Sequence, residues 1–358
     1  MSLADLPQPS ATHPDSQLGV SYIMPVLNEA KYIERSVTTV LAQDYPGEKE
    51  IILALGPCTD GTDRIVEVLN KANAAIRIVH NPGRDIPIGL NLAIEASRHP
   101  VIVRVDAHSE LASDYTKQAV DTLMRTGAVN VGGLMDAQGE TPFQQAVAYA
   151  YTSRVGIGGA SYHVGAEEGP AESAYLGVFR RDALRRVGGF DETIRRGEDW
   201  ELNLRLREAG GTVLFTPKLR VTYWPRTTWN KLVRQFHATG GWRGELFRRL
   251  GMRNSLRYFA PPALVVAIGS AVVALIVQLS TLGLLPTWVG IVLAVIELPT
   301  AIYILGVLMA GLLARGLSVK ARGCLVAVLP TMHLSWGLGF IGGALRGAKH
   351  VVDTSRHH

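Results

Sequence analysis

The chain has 358 residues, with 36 Lys and Arg against 31 Asp and Glu, 47% hydrophobic residues and only 19% charged. This composition excludes a disordered chain and allows one large domain with an appendage. The charge is uneven: residues 261–358 hold only six Lys or Arg and two acids, Glu297 and Asp353, so the front reads as an ordinary soluble domain, and the small basic surplus belongs beside a membrane, not on nucleic acid.

Residues 1–17 carry Pro, Ser, Asp and His but no apolar stretch of the signal-peptide kind. They read as a disordered tail ahead of a domain that stays cytoplasmic. Strands are then predicted at 19–26, 50–55, 76–80 and 101–106, and helices at 30–42, 61–73 and 88–97. This βαβαβαβ alternation predicts an α/β fold, a mainly parallel sheet covered by helices, with ligands at the carboxyl ends of its strands. Residues 130–222 mix strands with Gly-rich loops such as 156–165. They include a helix from about 198 to 209, closed by Gly210-Gly211, and an acceptor-binding half is expected there.

Between 227 and 259, Lys231, Arg234, Arg243, Arg248, Arg249, Arg253 and Arg257 are opposed only by Glu245 and interleaved with Trp229, Phe236, Trp242, Phe247, Tyr258 and Phe259. This suits helices lying on an anionic membrane face. From Tyr258 to Ile296 no charged residue appears, and after Glu297 a second uncharged run reaches Ala314. Membrane helices are predicted at 263–279, 287–313 and 323–345, the Gly-rich third having a re-entrant alternative. The basic loop 315–322 and the uncharged loop 280–286 both fit an N-terminus on the inside. The expected layout is thus a tail at 1–17, a catalytic domain at 18–226, interfacial helices at 227–259, a membrane region at 260–346 and a tail at 347–358. Cys58 and Cys324 stand in contexts that do not meet, which excludes a disulfide framework or a cysteine zinc site.

Four short segments carry candidate chemistry. Pro25-Val26-Leu27-Asn28-Glu29 ends a strand in a polar corner, where Asn28 capping the next helix is the plainer alternative. Cys58-Thr59-Asp60-Gly61-Thr62 is a turn before a helix, with Asp60 as a candidate N-cap. In Arg104-Val105-Asp106-Ala107-His108, a carboxylate and an imidazole two residues apart follow a strand and suit one divalent ion, Mn²⁺ tolerating the histidine better than Mg²⁺. Gly188-Gly189-Phe190-Asp191-Glu192 leads to Gly197-Glu198-Asp199-Trp200 at a helix start, which favours ionised carboxylates. Consecutive helical residues diverge, so only one of Glu198 and Asp199 is expected to act as a general base.

Taken in order and spacing, these segments, with Phe179-Arg180-Arg181, resemble the family 2 glycosyltransferases of GT-A fold over residues 19–245. Asp106-Ala107-His108, the later Tyr223-Trp224-Pro225-Arg226 and Gly241-Trp242-Arg243, and the membrane helices look most like the succinoglycan-type exopolysaccharide glucosyltransferases. The resemblance implies a nucleotide-sugar donor held by Pro25, Val26, Asn28, Glu29, Asp60, Arg104, Asp106 and Arg226. It puts a divalent metal, Mn²⁺ or Mg²⁺, on Asp106 and His108, and Asp199, beside Glu198, as the base of an inverting single displacement. Gly189, Asp191, Trp242 and Arg243 are expected to touch the acceptor or gate the site, Trp242 having the alternative of a membrane-interface anchor. Expected partners are the donor, a lipid-linked glycan acceptor and membrane lipids, with no nucleic acid. Two departures from the family pattern stand out. The second strand ends in Ala54-Leu55-Gly56 without the usual base-contacting Asp, and the Gln-x-x-Arg-Trp signature of processive synthases is missing after Gln235. A polyprenyl-phosphate sugar synthase and a catalytically silent membrane scaffold are the alternatives.

Overall fold

A computed structural model describes residue 3 and residues 18–157, 163, 165–251, 256–281 and 284–348. By its internal contacts the chain divides into two units, residues 1–136 with 160–223 and residues 137–159 with 224–358. Of the expected tail at 1–17 only Leu3 falls among the described residues, and it is not loose. Its N–H donates to the Ala209 carbonyl at 2.7 Å and its side chain is buried in the core. Beyond Ala348 the expected C-terminal tail lies outside the described residues.

The first unit begins with β1 (Val20–Val26), α1 (Ile33–Leu41), β2 (Lys49–Leu55), α2 (Thr62–Ala72), β3 (Ile76–His80), α3 (Ile86–Ala96) and β4 (Val101–Arg104). It continues through β5 (Glu110–Leu111), α4 (Tyr115–Thr126), β6 (Asn130–Ala137), β7 (Gly169–Pro170), β8 (Tyr175–Arg180), α7 (Arg181–Arg186), α8 (Glu198–Glu208) and β9 (Val213–Tyr223), α5 and α6 falling in the second unit. The strands lie in the order β3-β2-β1-β4-β8-β6-β9-β5, with β7 on β9. Pairings among β3, β2, β1 and β4 are parallel, and β8 runs antiparallel to β4.

Both faces of the parallel part are covered, which is why its strands read as unbroken apolar runs. Tyr22, Met24, Ile51, Leu53, Val101 and Val103 enter one core cluster with residues of α1, α2 and α4. The alternate residues Ile23, Ile52, Ala54 and Ile102 enter the other with residues of α3, α7 and α8. The chain goes from β1 outward to β2 and β3, then returns to place β4 on the opposite side of β1. Ligands of open α/β sheets bind outside the carboxyl ends at such a reversal, and here those ends are Leu27-Asn28 and Val105-Asp106. Strand β4 stops at Arg104, so Asp106 sits in the following turn and not in the strand as predicted.

The second unit holds α5 (Pro142–Thr152), α6 (Arg154–Ile157), α9 (Trp229–Leu250), a 3₁₀ turn (Leu256–Phe259), α10 (Ala260–Thr281), α11 (Thr287–Leu313) and α12 (Val319–Arg346). Three helices, Leu256–Thr281, Thr287–Leu313 and Val319–Arg346, are long and apolar enough to cross a membrane. At about 1.5 Å per residue each exceeds the ~30 Å hydrocarbon thickness. The third is one continuous helix through Pro330.

Helix α9 departs from the expected picture of a helix lying on a lipid surface. Phe236, Trp242 and Leu246 are buried, and α9 packs backbone to backbone on α12. A Cβ added at Gly240 would meet the Trp336 carbonyl at 2.0 Å, one at Gly244 the Phe340 carbonyl at 2.1 Å, and one at Gly343 the Gly241 carbonyl at 1.9 Å. Glycine at these positions is what permits the approach. At 2% exposure, Trp242 is therefore neither an interface anchor nor an accessible acceptor contact.

Candidate active site

Arg104 ends β4 with its side chain 5% exposed. Its guanidinium gathers three carboxylates. Nη1 and Nη2 each donate to Glu198 Oε1 at 3.2 Å, Nη1 also donates to Asp199 Oδ1, and Nη2 approaches Asp106 Oδ1 at 3.4 Å. Although consecutive on the helix, Glu198 and Asp199 share this one guanidinium. They start α8 behind the left-handed Gly197 (φ 81°), and the planar five-donor fork reaches both from one side. They still differ in reach, Asp199 keeping 25% of its side chain exposed against 10% for Glu198. Phe190 lies under the fork, its ring centroid 5.9 Å from the Arg104 guanidinium carbon.

Burial alone would drive the Arg104 proton off, but the charges of Asp199, Asp106 and Glu198 outweigh it and raise the pKa. Asp199 moves the other way from its ordinary value than a simple ion pair would. Desolvation raises it, Arg104 pulls it down, and the neighbouring Glu198 and Asp106 charges push it up again, leaving it well above the usual carboxylate range. A carboxylate so placed is a better proton acceptor near neutral pH than a solvated one.

The β1 corner is built by two loops tied together. Asn28 adopts a left-handed backbone (φ 56°), which asparagine tolerates. It does not cap α1: its Oδ1 accepts from Thr59 N at 2.8 Å, while its own N–H points to Cys58 Sγ at 3.4 Å. Asp60 is not an N-cap either, that position being Gly61. Its carboxylate accepts from Ala30 N and Thr62 N, both at 3.0 Å, and Glu29 N donates to Thr62 Oγ1 at 2.8 Å. Val26 is buried in the core and its carbonyl accepts from Gly56 N at 2.8 Å, so Val26 shapes the corner without presenting a side chain, and Pro25 pairs with Ala54 beside it.

In the turn after β4, Ser109 N donates to the Asp106 carbonyl at 2.9 Å, and His108 Nδ1 lies 3.1 Å from Glu29 Oε1. A carboxylate accepts, so in this contact Nδ1 is the donor. Among the described residues no three His, Cys, Asp or Glu side chains gather as a metal cage. A Mg²⁺-type ion held by one or two carboxylates and completed by substrate phosphates needs none, and a carboxylate behind an imidazole is the usual support of a metal-binding histidine. Asp106 and His108 fit such an ion.

Gly189 and Asp191 serve the loop itself. A Cβ on Gly189 (φ 69°) would meet Asn91 Oδ1 at 2.6 Å. Asn91 clamps the loop through Phe190 N and O, and Asp191 accepts from Thr193 N at 2.8 Å. Arg226, Trp242 and Arg243 belong to the second unit. The sequence reading missed Asn81, just past β3 at the same sheet edge. It is 4% exposed, its N–H donates to Leu55 O at 2.8 Å, its Nδ2 to Asp85 O at 3.0 Å, and its buried Oδ1 has no partner among the described residues. The turn Asn81-Pro82-Gly83 was the available signal.

Comparison with known proteins agrees with this geometry. The Glycosyl transferase family 2 profile matches residues 21–188. The chain is 30% identical to the succinoglycan biosynthesis protein ExoA of Rhizobium meliloti (strain 1021), over 89% of this chain and 92% of that protein. It is 26% identical to the dolichyl N-acetyl-alpha-D-glucosaminyl phosphate 3-beta-D-2,3-diacetamido-2,3-dideoxy-beta-D-glucuronosyltransferase of Methanococcus voltae, over 67% and 77% respectively. The mannosyltransferase PcManGT of Pyrobaculum calidifontis, solved with GDP-Man and Mn²⁺, shares the fold at TM-score 0.55 and 17% identity, covering 96% of this chain and 92% of that one. With a GT-A-type sheet, carboxylates collected at its reversal point and three apolar helices later in the chain, the chain belongs to glycosyl transferase family 2.

Proposed function

We propose that the protein is a metal-assisted inverting hexosyltransferase that moves a sugar from a nucleotide diphosphate to a lipid-linked or growing cell-envelope glycan at the cytoplasmic membrane face. The observation that carries this reading is the convergence of Asp106, Glu198 and Asp199 on Arg104 at the carboxyl edge of the sheet. The acceptor hydroxyl oxygen attacks the anomeric carbon, the bond from that carbon to the diphosphate breaks with its electron pair, and the hydroxyl proton passes to Asp199. Asp199 is the base because it is the more exposed acid of the pair and its proton affinity is raised. Glu198 and Arg104 hold it in place, and Arg104 prevents three carboxylates from repelling one another.

A divalent ion on Asp106 and His108 would offset the charge growing on the leaving diphosphate. Glu29 orients His108 for that role. The unpartnered Asn81 Oδ1 supports base recognition at the edge where β2 carries no acid. The relatives in succinoglycan biosynthesis and on a dolichyl-linked acceptor favour a glycan acceptor.

Asp199→Asn tests the reading. Loss of transfer by about 10²–10⁴-fold with donor binding kept is expected. Near-normal turnover would favour a phosphate acceptor, which is already ionised and needs no base, and would point to a polyprenyl-phosphate sugar synthase.

A further inference from the structure

We infer that only α10 and α11 cross the membrane, and that α12, the third helix long enough to do so, lies slantwise along the face they leave from, with protein on one side and lipid on the other. α10 (22 residues) and α11 (27 residues) are joined through residues 282–286 and pack on each other. The start of one and the end of the other, Ala260 and Leu313, therefore belong to the same membrane face. α12 touches both ends. Near its own start, Arg322 Nη1 donates to the Leu312 carbonyl at 3.2 Å, and Gly311 leaves room for Val326. Fifteen residues further on, Gly337 meets the start of α10: an added Cβ would lie 2.5 Å from the Pro261 carbonyl, and the Phe340 ring packs on Phe259 at 5.6 Å. An upright helix climbs about 22 Å over fifteen residues, which would carry Gly337 most of the way across a hydrocarbon core of ~30 Å. Here both points lie at one face. Tyr303, ten residues before the end of α11, still reaches His333 Nδ1 at 2.9 Å, so α12 rises somewhat along its length and is slanted, not flat.

The neighbours of the second half of α12 are polar elements. Gly339 and Gly343 abut the backbone of α9 at His237 and Gly241, and the Ala348 N–H donates to Glu245 Oε2 at 3.3 Å. α9 carries Lys231, Arg234, Arg243, Glu245, Arg248 and Arg249, with Arg234 and Arg248 exposed. His333 Nε2 lies 2.7 Å from the Gly156 carbonyl of α6, the short helix that begins at the exposed Arg154. A spanning α12 would carry α9 and α6 into hydrocarbon with it, where exposed arginines are costly. In its most apolar stretch 39% of α12 is buried, against 11% and 6% for the first and second helices, so protein accounts for much of its apolar character. Leu338 (54% exposed) and Leu345 (76% exposed), two turns apart, are left for lipid. The six Lys and Arg of residues 261–358 are Arg315, Lys320, Arg322, Arg346, Lys349 and Arg356. Two crossings leave all six on one face, the arrangement favoured at an anionic inner leaflet, whereas three crossings divide them equally.

Single cysteines in the full chain, in a Cys58→Ser, Cys324→Ser background, test the topology when labelled with a membrane-impermeant maleimide in right-side-out and inside-out vesicles. Asn230→Cys on α9 and Arg315→Cys between α11 and α12 mark the near face, and Leu284→Cys between α10 and α11 marks the far one, all three at exposed positions. Ser355→Cys is expected to label in the same vesicle orientation as Asn230→Cys and Arg315→Cys, and Leu284→Cys in the opposite one. Labelling of Ser355→Cys together with Leu284→Cys shows a third crossing and overturns the proposal. Labelling of Arg315→Cys together with Leu284→Cys overturns it as well, because α10 and α11 would then not form two crossings. If Ser355→Cys labels in neither orientation, a protease-cleavable tag fused after His358 decides. Cleavage in the orientation that labels Asn230→Cys upholds the two crossings, and cleavage in the orientation that labels Leu284→Cys overturns them.

Discussion

Asp199 takes its strength as a base from burial and its position from Arg104, and these two influences oppose each other in the pH profile. A base works deprotonated, so the rate falls as pH drops through its pKa. The acid limb of kcat/KM is expected above the ordinary carboxylate range. Arg104→Gln removes the one partner that lowers the Asp199 pKa, so the limb should move to higher pH, with activity falling at every pH. A limb that stays put would separate Asp199 from the rate. Glu50 behaves in the opposite sense. Burial disfavours its charge, but Ser21, Arg98 and Arg77 outweigh that and hold its pKa at about 2 against 4.5. Its stabilisation is present above pH 4.5 and is lost as pH falls towards 2, on the order of 3 kcal/mol in all. Glu50→Gln should flatten that stretch of the stability curve in acid denaturation. At this scale the sequence was legible where a residue stands at a strand or helix end, as Arg104, Asp106, Glu198 and Asp199 do. It was not legible for Asn28, because capping is a local rule and its partner Thr59 lies about thirty residues away, nor for the half of the Asp60 contacts that reaches as far, to Ala30.

Helix α9 shows where element-level patterns mislead. Basic and aromatic residues interleaved on a helix describe a lipid surface and a helix-on-helix seam equally well, and the glycines that decide between them become informative only when both helices are known. The neighbouring glycines of α12 provide a matched pair. An added Cβ at Gly342 meets nothing within 4 Å, whereas at Gly343 it meets the Gly241 carbonyl at 1.9 Å. Gly342→Ala should raise stability by up to about 1 kcal/mol through helix propensity, and Gly343→Ala should lower it by about 1–3 kcal/mol by forcing α9 and α12 apart. Thermal unfolding in detergent reads both. Equal effects would mean that the seam is not close-packed.

For the whole molecule, the parallel half of the sheet was readable because strands covered on both faces leave continuous apolar runs. The division into units was not, since residues 137–159 leave the first unit between β6 and β7 and join the helices that follow residue 224. A chain ending at Phe259 loses α12, against which Gly240, Gly244 and Phe247 pack. Such a fragment is expected to aggregate without detergent in size-exclusion chromatography, and a monodisperse monomer would show that α9 needs no partner. The central claim is that Asp106 and the acids around Arg104 form a nucleotide-sugar site. Calorimetric titration of the full-length protein with a panel of nucleotide sugars and Mn²⁺, wild type beside Asp106→Ala, tests it most directly. The account predicts that at least one nucleotide sugar binds the wild type and that Asp106→Ala weakens it by about tenfold or more. Absence of binding across the panel, or equal binding by both proteins, would contradict it.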